Sequence, residues 1–251
     1  MKSLVLGILA LATVLIDSDL HGESAVLTIS AAASLRGPLE SVAGEFEKSH
    51  PETKIVYNFG SSGSLKQQIV HGAPVDIFIS AASRQMDELE TAGFVDSASR
   101  FVLSGNTIVL IAPSRAKRIK GFEDLASAGR IAIGEPTSVP AGMYAMEVFR
   151  YFDLTSLLKN RLVFAKDVRQ VLVYVQGGDA DAGLIYGSDV HGVKDIEVVA
   201  VAPPDSHTKV EYPAAMVATS PKKAAASDFL KFLRSSAVKA VFQSAGFLPA
   251  G

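Results

Sequence analysis

Four times in this chain an apolar, strand-like run ends in a patch of small, hydroxylated or Gly/Pro residues, and an amphipathic helical pattern then begins. The clearest patch is Phe59-Gly60-Ser61-Ser62-Gly63-Ser64-Leu65, which follows Lys54-Ile55-Val56-Tyr57-Asn58. The others are Ser30-Ala31-Ala32-Ala33-Ser34-Leu35, Gly134-Glu135-Pro136-Thr137-Ser138-Val139-Pro140-Ala141-Gly142 and Ala165-Lys166-Asp167-Val168. A strand that enters a helix through small residues leaves the first helical N–H groups without partners and without side chains to shield them. With the positive end of the helix dipole, those groups form a site for an anion. One such turn is ordinary in an α/β protein. Four of them, nearly free of Lys and Arg, point to an oxyanion held by neutral donors.

The strand candidates are Val26–Ser30, Lys54–Asn58, Asp76–Ala81, Asn106–Ala112, Arg130–Gly134, Arg161–Phe164, Ala182–Tyr186, Ile196–Val201 and Glu211–Ala218. Runs such as Ile77-Phe78-Ile79 and Ile108-Val109-Leu110-Ile111 suit strands buried on both faces. Helical spacing is clear at Leu35, Leu39, Val42, Ala43 and Phe46, with Ser34 as the expected N-cap. It recurs at Val168, Val171, Leu172 and Val175 behind Asp167, and at Ala141, Ala145, Val148, Phe149 and Phe152 behind Pro140, a residue suited to a first turn. Residues 224–242 are helical by pattern, with a break expected near Ser235-Ser236. The alternation sets an α/β class. It pauses at Ser104-Gly105-Asn106 and at residues 202–206, which fits two crossings around an inserted lobe; one continuous sheet stays open as the alternative.

The start of the chain reads as a leader. Lys2 gives a positive n-region, and Leu4 to Ile16 is an apolar stretch of 13 residues, too short to span a bilayer. A cleaved secretory signal peptide is expected over residues 1–24. The chain has no cysteine, so no disulfide framework and no lipidated N-terminal Cys is expected, and a core must carry the stability. Without residues 1–24 the chain loses Lys2, Asp17, Asp19 and Glu23, leaving 23 basic residues against 23 acidic ones. Nucleic-acid binding draws on a clustered positive field, and only short clusters such as Arg115-Ala116-Lys117-Arg118 occur.

Catalytic motifs fail on inspection. The serine cluster lacks the G-x-S-x-G spacing of a nucleophile elbow, and the S-x-x-K matches at Ser206 and Ser220 have no partner motifs. The five histidines show no ligand spacing for zinc. The acidic run Gly177–Gly183 lacks what an EF-hand requires and reads as a turn.

Read in register, several segments together resemble the periplasmic molybdate-binding proteins of bacterial ABC importers. They are Ala31–Leu35, Phe59–Leu65, Gly72–Ala81, Val139–Ala145, Asp167–Arg169, Ile185–Asp189 and Val210–Pro213, and the resemblance runs from Val26 to Pro249. It implies a bilobal type II periplasmic-binding-protein fold, with residues 25–105 and 207–251 in one lobe, 106–206 in the other, and two hinge strands between. It also implies that an oxyanion is held by the hydroxyls of Ser34, Ser62 and Tyr186 and the amides of Ala141 and Val168. Gly60 and Gly63 within the serine loop depart from the family pattern. The implied ligand is molybdate or tungstate, taken up without a further cofactor and with no protein group bonded to molybdenum itself. The implied partner is a membrane permease, and the protein is expected to be a periplasmic monomer with no catalytic residue.

Molybdate is a dianion at neutral pH that accepts hydrogen bonds and donates none, so a site made only of donors fits it and disfavours an anion still carrying a proton. Arg36 and Arg169 are expected to point away from such a site. Another tetrahedral oxyanion, sulfate above all, is the alternative ligand, and an enzyme on the same fold is the alternative class.

Overall fold

The computed structural model describes residues 25–115 and 118–250; the leader expected over residues 1–24 lies outside them. Two five-stranded mixed sheets organise the chain, so the single continuous sheet is excluded.

The first sheet begins with β1 (Ala25–Ala32), whose chain continues through a 3-10 turn into α1 (Arg36–Ser49). β2 (Thr53–Gly60), α2 (Ser62–Val70), β3 (Ile77–Ile79), α3 (Ser83–Thr91) and β4 (Phe101–Asn106) follow. The chain then enters the second sheet through β5 (Ile108–Pro113) and β6 (Ile131–Gly134), followed by α4 (Pro140–Tyr151) and α5 (Thr155–Leu158). β7 (Leu162–Ala165), α6 (Val168–Gly177), β8 (Ala182–Tyr186) and β9 (Ile196–Val201) complete it. The return crossing leads to β10 (Val210–Met216), α7 (Lys223–Leu233) and α8 (Ser236–Ser244).

Strand order is β2-β1-β3-β10-β4 in one sheet and β7-β6-β8-β5-β9 in the other. β1 pairs in parallel with β2 and β3, and β6 in parallel with β7 and β8. The strand that arrives from the far side of a crossing, β10 or β5, lies antiparallel to both its neighbours. The two lobes therefore share one strand order although no repeat is visible in the sequence. A ligand of an open α/β sheet sits beyond the carboxyl ends of its parallel strands. Here those ends, on β1, β2, β6 and β7, are where the four small-residue turns lie.

α1, α4, α6 and the C-terminal pair α7 and α8 bury the stripes their sequences predict. α1 buries Pro38, Leu39, Val42 and Phe46, and the Phe46 ring meets Phe229 of α7 edge-on at 5.0 Å. A side chain of this kind contributes roughly 1.5–3 kcal/mol when fully buried. Pro140 occupies the first turn of α4, and Asp167 caps α6 by accepting from the Gln170 amide at 2.9 Å. The C-terminal helix breaks at Ser235, which caps α8. The acidic run after α6 is a turn, with Gly178 at φ 80° closing the helix in the left-handed conformation.

Two elements differ from expectation. β4 is a strand of Phe101–Asn106 although the expected pause, Ser104-Gly105-Asn106, forms its second half; it is held by β10, more than a hundred residues away, with a bulge between Tyr212 and Pro213. Ser34 does not cap α1. It lies inside the 3-10 turn Ala33–Leu35, and α1 begins at Arg36 with no side-chain cap.

Candidate functional site

The turns after β1, β2, β6 and β7 converge with the end of β8 on one small cavity. It is lined by Ala32, Ala33, Ser34, Gly60, Ser61, Ser62, Ala81, Val139, Pro140, Asp167, Val168 and Tyr186, with about 10 Å³ of room for the centre of a water-sized sphere. That is the scale that admits one compact hydrogen-bonded group. No Lys, Arg or His is among the lining residues.

Four of the five expected site residues, Ser34, Ser62, Val168 and Tyr186, line it. Ala141 does not; it stands one position past the lining Pro140, fully buried in the first turn of α4. Among the described residues no carbonyl or side chain accepts from the amide of Ala141 or of Val168. Both amides are thus first-turn donors of the kind a helix leaves unsatisfied.

The two serines have distinct surroundings. Ser61, rather than Ser62, caps α2 by accepting from the Ser64 amide. Ser62 is fully buried, and its Oγ accepts from the Ala81 amide at 2.9 Å. An acceptor lone pair filled in this way leaves the hydroxyl proton as the group offered to a ligand. Ser34 Oγ lies 3.2 Å from the hydroxyl of Tyr212.

Tyr186 ends β8 with a buried phenol whose hydroxyl makes a long, 3.4 Å contact to the Ala81 carbonyl across the lobes. Burial above all, then the neighbouring Tyr212, Tyr144 and Asp189, holds its ionisation well above the usual phenol range. It therefore stays a neutral O–H donor. Asp167 also lines the cavity, but its Oδ1 is engaged in capping α6.

The two nearby arginines avoid the cavity. Arg36 pairs with Glu40 at 3.2 Å and lies 4.4 Å over the Phe59 ring. Arg169 is half-exposed and reaches Asp189, Nε to Oδ1 3.8 Å. Asp189 is a site the sequence reading passed over. Its carboxyl oxygens are buried with no hydrogen-bond partner among the described residues. Burial pushes this carboxyl up to about 7, with Arg169 opposing the rise. Tyr212 and Asn106 were likewise missed as site elements, since neither lies in a strand-to-helix turn; only folding brings them beside Ser34.

The lobes touch beside the cavity. The Gly63 amide donates to the Ser138 carbonyl at 2.9 Å, and a Cβ on Gly63 would lie 2.5 Å from that oxygen. A second close approach seats α4: a Cβ on Gly142 would lie 1.9 Å from the Gly134 carbonyl oxygen, so only glycine lets the helix start this near the end of β6.

Residues 27–248 match the family described as bacterial extracellular solute-binding protein. The chain is 38% identical over 232 residues to the molybdate-binding protein ModA of Haemophilus influenzae, covering 89% of this chain and 90% of that one. It is also 38% identical over 229 residues to ModA of Escherichia coli, covering 88% of each. The periplasmic molybdate-binding protein of Azotobacter vinelandii superposes with a TM-score of 0.80 at 24% identity, over 90% of this chain and 100% of that one, a likeness of fold.

Proposed function

This chain belongs to the bacterial extracellular solute-binding proteins, and from that premise we propose that it captures molybdate, and tungstate with it, between its two lobes and delivers the anion to an ABC-type membrane permease. Relatives of this identity and coverage that carry the name molybdate-binding protein support the anion. The observation that carries the reading is a compact cavity at four strand-to-helix turns, lined by small and apolar residues, the hydroxyls of Ser34, Ser61, Ser62 and Tyr186 and the helix-capping carboxylate of Asp167, with no cationic side chain. The donors assigned to the anion are the hydroxyls of Ser34, Ser62 and Tyr186 and the amides of Ala141 and Val168. Lobe 1 comprises residues 25–105 and 207–251, and lobe 2 residues 106–206.

The chemistry of the site is selection by hydrogen-bond polarity. A fully deprotonated tetrahedral dianion accepts from every donor present, whereas hydrogen phosphate brings a proton that needs an acceptor. An unpaired buried polar group costs about 1–3 kcal/mol. The protein acts as a carrier without covalent chemistry, in the periplasm, as a monomer, after removal of residues 1–24.

Calorimetric titration with molybdate, tungstate, sulfate and phosphate tests this. Molybdate and tungstate are expected to bind at least a hundredfold more tightly than sulfate and phosphate. Ser62→Ala is expected to weaken molybdate by about 1.5–3 kcal/mol, the scale of a hydrogen bond to a charged group. Equal affinity for sulfate and molybdate, or a Ser62→Ala protein that binds as the wild type does, overturns the assignment.

A further inference from the structure

Behind Ser34, at the two crossings between the lobes, lies a buried polar chain that the ligand donors alone do not explain. Asn106 is the last residue of β4, Ser188 follows the end of β8, and Tyr212 lies on β10. Tyr212 is fully buried, and Asn106 and Ser188 nearly so. Asn106 Oδ1 accepts two backbone donors, the amides of Thr107 at 2.9 Å and Ser188 at 3.3 Å. Backbone N–H groups only donate, so the amide oxygen is fixed on that side and Nδ2 faces the other way. Its two protons go to Ser188 Oγ at 2.8 Å and to the Tyr212 hydroxyl at 3.1 Å.

This orientation determines the rest of the chain. The Tyr212 oxygen is already an acceptor from Asn106, and its own proton has one partner among the described residues, Ser34 Oγ at 3.2 Å. Burial holds the phenol well above its usual ionisation range, so that proton is present at any physiological pH. Ser34 therefore accepts from Tyr212 and keeps its own proton for the cavity. Ser62 reaches the same state by a different route, through the Ala81 amide.

We propose that Asn106 and Tyr212 are positioning residues that set the polarity of Ser34, forcing its hydroxyl to donate and so building the selection against protonated anions into the hinge of the protein. The proposal rests on the anion reading above, and it adds the origin of selectivity: one serine is polarised by a backbone amide of its own lobe and the other by a side-chain relay spanning both crossings. The relay spans the lobes through its Asn106–Ser188 link, since Asn106 and Tyr212 lie on the paired strands β4 and β10 of the first sheet and Ser188 follows β8 of the second.

The test is a set of titrations with sodium molybdate and with inorganic phosphate near neutral pH on the wild type, Tyr212→Phe, Ser34→Ala and the double variant. Tyr212→Phe removes the donor to Ser34 and frees a lone pair that can accept from hydrogen phosphate. Molybdate affinity is expected to fall about tenfold while phosphate affinity holds or rises, so the ratio of the two narrows. On a Ser34→Ala background the same change is expected to alter molybdate affinity less than twofold, because there is no serine left to polarise. Should Tyr212→Phe fail to melt cooperatively, Asn106→Asp is measured instead. It offers Tyr212 an acceptor, draws the phenol proton away from Ser34 and is expected to narrow the same ratio. Equal weakening of both anions, or a full Tyr212→Phe effect on the Ser34→Ala background, overturns the proposal and leaves the tyrosine a packing residue. A wild type that fails to bind molybdate counts against the anion reading instead, so the two failures are separable.

Discussion

Asp189 shows how far a single residue can depart from its solution chemistry in this fold. Its carboxyl is buried two residues past Gly187, in the turn that follows Tyr186, and Arg169 at 3.8 Å is the main group that offsets the loss of water. Burial raises the group to about 7, so the folded protein keeps a proton that the unfolded chain has released. Below the ordinary carboxylate value of 3.8 both states are protonated and the residue is silent. Between there and about 7 the folded state binds the extra proton, and its stability falls as pH rises; above that the penalty is complete. Asp189→Asn keeps the shape and removes the titration. It is expected to lie close to the wild type near pH 4 and exceed it at pH 8 by on the order of 4 kcal/mol. Thermal melts of both proteins at the two pH values decide it: the same difference at both would show that the carboxyl is ionised throughout. At this scale the sequence was informative about donors and silent about their partners. Ser34 and Ser62 were legible as candidate donors because each stands in a patterned strand-to-helix turn, whereas Val168 entered only through the family resemblance. Tyr212, Asn106 and Asp189 were not, because their meaning comes from neighbours up to 178 residues away.

The helices and strands were legible wherever the local pattern and the packing agree. α6 is the clearest case: Asp167 caps it, Val168, Val171, Leu172 and Val175 are its buried face, and Gly178 closes it. β4 is the counter-case, since Ser104 and Gly105 break its apolar run and the pairing that makes it a strand is non-local. α2 carries a constraint that patterning does not register. Its second residue, Gly63, is the point where lobe 1 meets lobe 2, and its amide donates to Ser138. Gly63→Ala places a methyl 2.5 Å from a backbone oxygen, which no rotamer change can relieve. The lobes themselves do not need this contact, so the variant is expected to fold and melt as the wild type does without ligand. Its molybdate affinity is expected to fall at least tenfold, because the closed approach is lost. Calorimetry alongside melting separates the two effects: a variant with wild-type affinity would show that the Gly63–Ser138 contact is incidental to capture.

For the whole molecule, the proposed donors are divided between the sheets: Ser34 and Ser62 follow β1 and β2, while Ala141, Val168 and Tyr186 belong to α4, α6 and β8. An anion that satisfies all of them must bridge the lobes, and no single lobe can complete the set. Contacts between the lobes flank the site: Gly63 to Ser138, Tyr186 to Ala81, Asn106 to Ser188, and the Thr208 amide to Glu147 Oε2 at 2.6 Å. On the proposed function, bound anion supplies the differential free energy between open and closed forms, which is the only way a ligand shifts such an equilibrium. The chain passes between the sheets at two places, Thr107 between β4 and β5, and residues 202–209 between β9 and β10, and any rotation of the lobes is expected to turn there. Small-angle scattering on protein first stripped of anion by unfolding and refolding is expected to give a larger radius of gyration that contracts on addition of molybdate. Sulfate at the same concentration is expected to leave it unchanged. A radius that stays constant through the molybdate titration, in a sample whose calorimetry shows the anion binding, would mean that the lobes are already closed and that the permease reads something other than their relative placement.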